Sequence, residues 1–151
     1  MTAHSLRAAH GRWVYGGAAL HTRGVSMRRG VLRTAAGDFD LEPVGRHRLG
    51  AVARIDGRPV VALQLDGCRV PGPGGPARWS VGRHSATLTR DGARIEVRAG
   101  RPGGPLRVEV TGAWAEEELV VLTACFAVLS RRRQRLIVMA AVVTAGARGP
   151  S

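Results

Sequence analysis

The sequence contains neither lysine nor asparagine, and it has only two cysteines. Without lysine the chain cannot form a Schiff base or supply the lysine of a phosphate-binding P-loop, which excludes the common routes to nucleotide hydrolysis. Without asparagine it has no acceptor for N-glycosylation. Cys68 and Cys125 belong to no CxxC pair, so we interpret them as small buried hydrophobic residues rather than as a disulfide or a nucleophile.

Motifs of catalysis and metal binding are also missing from the sequence. There is no GxSxG or HExxH motif and no pair of carboxylates placed for acid–base chemistry. None of the five histidines has the spacing of a metal ligand; they are His4, His10, His21, His47 and His84. We therefore expect no enzyme, no metal and no cofactor. The first residues lack the apolar run of a secretory signal, so we expect a cytoplasmic protein.

Positive charge is what the sequence has in excess. All 23 basic residues are arginine, against 11 acidic residues, which gives a net charge of +12. Such a charge attracts nucleic acid or anionic lipid non-specifically at low salt. The densest cluster, Arg131, Arg132, Arg133 and Arg135, is a candidate anion-binding site because arginine pairs with phosphate bidentately. The interpretation we favour over it is structural: arginines at the end of a helix complement its dipole.

The candidate helix lies at about 114–135 and contains the segment LVVLTACFAVLS at 119–130, which is apolar on every side. A helix without a polar face is buried, and these twelve residues span only about 18 Å, too short for a bilayer core of about 30 Å. Extending the span to 143 would place four arginines near the middle of the membrane, at roughly 2.5–3.5 kcal/mol each. We therefore predict burial within protein. Residues 136–143 (LIVMAAVV) are favoured as a final strand, with a helical continuation as the alternative.

The rest of the chain has the pattern of short antiparallel strands. Asp-Gly pairs at Asp56-Gly57 and Asp91-Gly92 lie between segments that alternate apolar and polar residues, which is typical of tight hairpins. Further alternation at 106–111 predicts another half-buried strand, and 12–20, 25–33 and 39–44 are weaker candidates. The predicted fold is mainly β with one C-terminal hydrophobic helix, a β-barrel-like sheet enclosing or packing on that helix. One domain is expected at 11–144, between tails at 1–10 and 145–151.

The order of these elements resembles the tubby C-terminal-like group, which includes the LURP-one-related proteins and the phospholipid scramblases. The resemblance lies in residues 106–112 (LRVEVTG), followed by Trp114, three glutamates and LVVLTACFAVLSRRR, with the Asp-Gly hairpins before them. It implies a β-barrel closed around a hydrophobic helix. That barrel has twelve strands, whereas nine or ten can be counted here, so a reduced or open barrel is implied. Some relatives bind membrane phosphoinositides through basic surface residues, but none of those residues is matched in this sequence.

The functional hypothesis is a non-enzymatic domain that binds anionic phospholipid headgroups through a basic surface, at the periphery of a membrane. One alternative is a small nucleic-acid-binding barrel, suggested by Arg78 and Trp79 and by Arg94 and Arg98 on predicted strands. Another is a structural or interaction protein.

Overall fold

The computed structural model describes residues 1–24 and 26–147, and it contains eleven strands and one long helix. The strands are β1 (Thr2–Leu6), β2 (Arg12–Tyr15), β3 (Ala18–Arg23), β4 (Arg29–Thr34), β5 (Gly37–Val44), β6 (Gly50–Ile55), β7 (Arg58–Leu63), β8 (Arg78–Val81), β9 (Ser85–Arg90), β10 (Ala93–Ala99) and β11 (Leu106–Thr111). The helix, α1, is Glu117–Ala147, and a short 3-10 turn, Arg46–Arg48, joins β5 to β6.

The strands form two antiparallel sheets. One sheet has the order β1-β11-β10-β9-β8, and the other has the order β2-β3-β4-β5-β6-β7. In the described part of the chain no ladder joins the two sheets, so they are not closed into a hydrogen-bonded barrel. The prediction of a mainly β fold with one C-terminal helix is confirmed at that level.

Two of the Asp-Gly pairs form the tight hairpins that the sequence predicts. Asp56-Gly57 joins β6 to β7 and Asp91-Gly92 joins β9 to β10. All four residues have positive φ, with values of 51°, 77°, 48° and 84° along the chain. Asp and Gly tolerate that conformation, and the resulting twist matches that of the paired strands.

The first half of α1 is the centre of the core. Every residue from Leu119 to Arg131 is buried, and the helix contacts strands of both sheets. These thirteen residues span about 20 Å, which is close to the length of a six-residue strand. The helix therefore crosses the space between the sheets from one end to the other. Within it, the buried Thr123 hydroxyl donates to the carbonyl oxygen of Leu119 at 2.7 Å. The prediction of an all-round buried helix is confirmed.

The helix boundaries differ from those expected. The helix begins at Glu117 rather than near Trp114, and it continues beyond Arg135 to Ala147. The favoured strand at 136–143 is therefore wrong, and the alternative helical continuation is what the structure contains. This segment lies beyond the ends of the strands, where an extended chain would lack a ladder partner, whereas a helix satisfies its own backbone groups. Of the expected tail at 145–151, residues 145–147 belong to the helix and 148–151 lie outside the described residues.

The expected N-terminal tail at 1–10 contains a strand instead. Thr2–Leu6 pairs with β11 over its whole length, from Thr2 opposite Val110 to Leu6 opposite Leu106. Only Leu6 is buried in this strand. Its position comes from the free edge of β11 rather than from an apolar pattern of its own, which is why alternation did not reveal it.

Candidate functional site

The two ends of the sandwich differ in charge. At the end where α1 begins, the Tyr15 hydroxyl donates to Glu117 Oε2 at 2.7 Å and the Gly17 amide donates to Glu118 Oε1 at 2.9 Å. Burial and the neighbouring Glu117 carboxylate both raise the pKa of Tyr15 far above its usual value. The Asp56 and Asp91 hairpin turns lie at this end too, because they alternate with the turns at the other end. The helix therefore begins among carboxylates.

The opposite end, which we call the exit end, contains the connections around the point where α1 leaves the sheets. They are residues 7–11, 45–49, 64–68, 82–84 and 100–105, together with 24 and 26–28. Their sequences contain six arginines, Arg7, Arg28, Arg46, Arg48, Arg83 and Arg101, and one acidic residue, Asp66. Arg48 Nη1 donates to Ser26 O at 2.5 Å and lies 3.4 Å from Ser130 O. These bonds tie two of the connections to each other and to the helix.

Arg131 is a structural residue of the exit end. Its side chain is buried, with the residue 7% exposed, and its Nη2 donates to Gly82 O at 2.7 Å and to Ser85 O at 3.2 Å. Burial and the nearby Arg135 both lower the pKa of Arg131, but a guanidinium stays charged in proteins. Arg131 therefore fastens the β8–β9 hairpin to the helix, and little of it is open to a ligand.

Arg132 and Arg135 bind further loop carbonyls. Arg132 Nη1 lies 3.3 Å from Arg101 O, and Arg135 Nη1 donates to Arg83 O. Burial, together with Arg133, lowers the pKa of Arg132. Each of these guanidinium groups uses one nitrogen in the contact, and Arg135 is exposed. Both therefore keep donors that can face a second acceptor.

Arg133 differs from the other three members of the predicted cluster. Across the described residues, its guanidinium has no hydrogen-bond acceptor and no carboxylate partner. The same holds for the side chains of Arg7, Arg28, Arg46, Arg83 and Arg101 in the surrounding connections. Because none of these six groups has a hydrogen-bond or ion-pair partner among the described residues, they are the cations that the exit end offers to an external anion.

The dipole interpretation of the arginine cluster is wrong. Arg131 to Arg135 lie in the middle of α1, and the last described turn of the helix contains no basic residue. The influence of the helix dipole is confined to the terminal turns. The arginines mark the place where the helix leaves the sheets rather than the place where it ends.

Beyond the arginines, α1 continues to Ala147 as an apolar segment, residues 136–147, which we call the exit helix, and residues 136–142 of it are exposed. Ile137, Val138, Met139 and Val142 are 42%, 54%, 62% and 65% exposed. Soluble proteins seldom leave so many neighbouring apolar side chains in water, and such a patch usually marks an interaction surface.

A groove of about 550 Å³ lies between the exit helix and the β8–β9 hairpin. It is lined by apolar and basic side chains together, among them His47, Leu49, Arg83, Arg135, Val138 and Met139. The lining combines charge donors with a hydrocarbon wall, so the groove suits a molecule with an anionic head and an apolar part.

The residues proposed for nucleic-acid binding are engaged elsewhere. Trp79 is buried, and its indole Nε1 donates to Leu49 O at 2.8 Å. It therefore offers no face on which a base can stack. Arg94 and Arg98 both bind the carboxylate of Glu96, so their charge is partly neutralised.

The thiols and acids of the described residues form no reactive centre of a familiar kind. Cys125 is fully buried in α1, and burial raises the pKa of its thiol to about 12. Burial also raises the pKa of Cys68. A thiol held in its protonated form is a weak nucleophile. No group of three or more His, Cys, Asp or Glu side chains in these residues is placed to hold a metal ion.

Sequence reasoning identified the helix arginines but missed those of the connections. Arg46, Arg83 and Arg101 are far apart in the chain and carry no local motif. A signal for them does exist: in an up-and-down sheet every second turn lies at the same end. Sorting the predicted turns alternately would have placed the turns that contain Arg46, Arg83 and Arg101 at one end, together with Asp66-Gly67, and the other two Asp-Gly turns at the opposite end.

Within residues 1–24 and 26–147, no helix combines the length and the apolar character needed to cross a membrane. No protein-family model, no curated protein and no solved structure matches this chain.

Proposed function

We propose that this protein binds the surface of anionic phospholipid bilayers through its exit end. The observation that carries the proposal is the combination found there: an apolar helical segment leaves the fold among connections that contain six arginines and a single acidic residue, Asp66. Cations beside an exposed apolar surface are the usual features of proteins that bind at the lipid–water interface.

The electrostatic part of binding comes from the unpaired arginines. A basic side chain near an anionic leaflet contributes about 1 kcal/mol, and the attraction falls off within about 8 Å at physiological salt. Charge far from the bilayer is therefore of little use, and the grouping of Arg46, Arg83, Arg101 and Arg133 at one end matters more than the net charge of the chain. Since anionic lipids are abundant in the cytoplasmic leaflet, that leaflet is the proposed location.

A lipid surface fits the exit end better than nucleic acid does. Nucleic acid would use the cations but would leave the apolar side chains of the exit helix in water. Binding to single strands also relies on exposed aromatic side chains, whereas Trp79 is buried. Displacement of the protein from vesicles by nucleic acid is therefore one of the outcomes that the test below distinguishes.

The resemblance to the tubby-like group is part of this proposal. Two features support it: eleven antiparallel strands, and a helix whose first half is enclosed between them. The group's barrel has twelve strands, so relationship to it, and closure of the two sheets into one barrel, stay predictions.

The test is co-sedimentation of the purified protein with vesicles. We expect binding to phosphatidylcholine vesicles that contain phosphatidylserine and little binding to phosphatidylcholine alone, with partial loss as salt is raised. A duplex and a single-stranded oligonucleotide serve as competitors. Equal sedimentation with neutral and anionic vesicles at moderate salt would overturn the proposal, and so would complete displacement from anionic vesicles by an oligonucleotide at equal charge concentration.

A further inference from the structure

The groove between the exit helix and the β8–β9 hairpin supports an inference about a ligand of defined size and charge. We infer that it binds one molecule of an anionic amphiphile with a single alkyl chain. The head lies against Arg83, beside the fixed charges of Arg131 and Arg135, and the chain lies along Val138 and Met139. This site goes beyond the proposed function, because one molecule saturates it and no bilayer is needed.

The groove borders a buried positive charge that lacks a counter-ion within the described residues. Arg131 is 7% exposed, and its Nη2 donates to the carbonyl oxygens of Gly82 and Ser85. The ion pairs found in residues 1–24 and 26–147 all involve other arginines. Buried charges in proteins are normally paired with an opposite charge. An anionic head in the groove supplies the counter-charge that Arg131 lacks.

Two exposed arginines line the same groove. Arg135 donates to the carbonyl oxygen of Arg83, and the Arg83 side chain has no hydrogen-bond or ion-pair partner in the part of the chain described. Burial and the nearby Arg135 both lower the pKa of Arg131, so an anion beside these groups offsets their mutual repulsion. Asp66, the acidic residue of the exit end, is not among the described residues that line the groove, and neither is any other carboxylate.

Apolar side chains line the groove from two sides. Leu49 precedes β6 and Val81 ends β8, while Val138 and Met139 belong to the exit helix. Val138 and Met139 are exposed to water. An alkyl chain lying between the helix and the sheets removes this surface from water, which favours binding.

The volume of the groove fits one chain. About 550 Å³ equals the liquid volume of about 18 water molecules at about 30 Å³ each. A methylene group has nearly the volume of a water molecule, so the groove holds a small head and a chain of about a dozen carbons. A phospholipid with two long chains exceeds this volume. The groove therefore favours a single-chain amphiphile.

Isothermal titration calorimetry with soluble probes tests the inference. The probes are dodecanoate and dodecyl phosphate, each below its critical micelle concentration. Acetate and inorganic phosphate provide the heads without a chain, and dodecyltrimethylammonium provides the same chain with the opposite charge. We expect dodecanoate, dodecyl phosphate or both to bind with a stoichiometry of one, at least about tenfold more tightly than the three controls. Absence of binding by both dodecyl anions, or equal affinity for any control, would overturn the inference.

Two substitutions in the exit helix form a matched pair. Met139→Glu places a negative charge in the groove and is expected to weaken binding of the dodecyl anion at least about tenfold. Ile137→Glu adds the same charge at an exposed apolar residue that does not line the groove, about 200° around the helix axis from Met139. It should leave the affinity unchanged, as should Met139→Leu, which keeps the apolar wall. Equal losses in the two glutamate variants would show that net charge governs binding and would overturn the inference.

The vesicle assay separates this inference from the proposed function. Protein that sediments with anionic vesicles but binds neither dodecyl anion would overturn the groove site and leave the proposed function intact. Protein that binds one dodecyl anion but sediments with no vesicle would remove the proposed function and support a site for a free amphiphile.

Discussion

Removing two unpaired arginines from the exit end provides the sharpest test of where the protein binds. The variant is Arg83→Gln combined with Arg133→Gln. Neither side chain has a hydrogen-bond acceptor or carboxylate partner in the described residues, so the stability of the fold should change by less than about 0.5 kcal/mol. The carbonyl of residue 83, which accepts from Arg135, is retained. The substitution therefore changes charge with little effect on structure.

The expected loss follows from the distance dependence of membrane electrostatics. At about 1 kcal/mol for each basic residue near an anionic leaflet, two residues contribute about 2 kcal/mol. That corresponds to a decrease in the partition coefficient of about 30-fold. On neutral vesicles the same variant should behave like the wild type.

The matched control carries the same charge change at the other end of the molecule. Arg33→Gln with Arg58→Gln removes two exposed arginines, of which Arg33 has only a long contact of 3.9 Å to Asp38. Both lie next to turns at the end where α1 begins, far beyond a screening length of about 8 Å from the bilayer. We expect a decrease of less than threefold, measured as vesicle partition against phosphatidylserine content. Equal losses in the two double variants would show that net charge, and not the exit end, governs binding, and would refute the reasoning.

Three further predictions concern the fold that holds the site. Arg131→Met should destabilise the protein by about 1–3 kcal/mol in urea unfolding, because the buried guanidinium's two hydrogen bonds to carbonyl oxygens of the β8–β9 hairpin are lost. The hydrogen bond from Arg98 lowers the pKa of Glu96. The stability that this bond provides is therefore present near neutral pH and lost as the pH falls through the lowered pKa. Glu96→Gln should flatten the dependence of the unfolding free energy on pH on the acid side. Gly50→Ala should lower the free energy of unfolding by about 1–3 kcal/mol, since the added Cβ would clash with the carbonyl oxygen of Leu63. A melting temperature equal to that of the wild type would contradict the packing described.

The sequence predicts the buried half of α1 well because the signal is local. Twelve consecutive apolar residues leave no side for water, whatever the rest of the chain does. The continuation at 136–143 is ambiguous for the opposite reason. LIVMAAVV suits a buried strand and a helix alike, and the choice depends on whether an unpaired sheet edge lies within reach. The strands end where Arg131 leaves the core, so the chain has no edge to join there.

The candidate site could be predicted only in part, because the connections that form it meet through topology. Arg131 to Arg135 are adjacent in the chain, and their density makes them visible. Arg46, Arg83 and Arg101 become neighbours only after eleven strands have been placed in order. Their lack of internal partners is a property of the folded state, and no residue pattern encodes it.

The arginines of the cluster differ in their contacts because of where the helix leaves the sheets. A helix that leaves a sandwich passes the ends of many strands, whose connections present carbonyl oxygens to it. Arginine satisfies these acceptors over a long reach: Arg131 and Arg135 bind the β8–β9 connection, and Arg132 binds the β10–β11 connection. Arg133 points to none of them. A cluster that is structural at three positions and open at the fourth explains why dense basic sequence is a poor guide to binding: the residue that matters for an external anion is the one that the fold leaves unused.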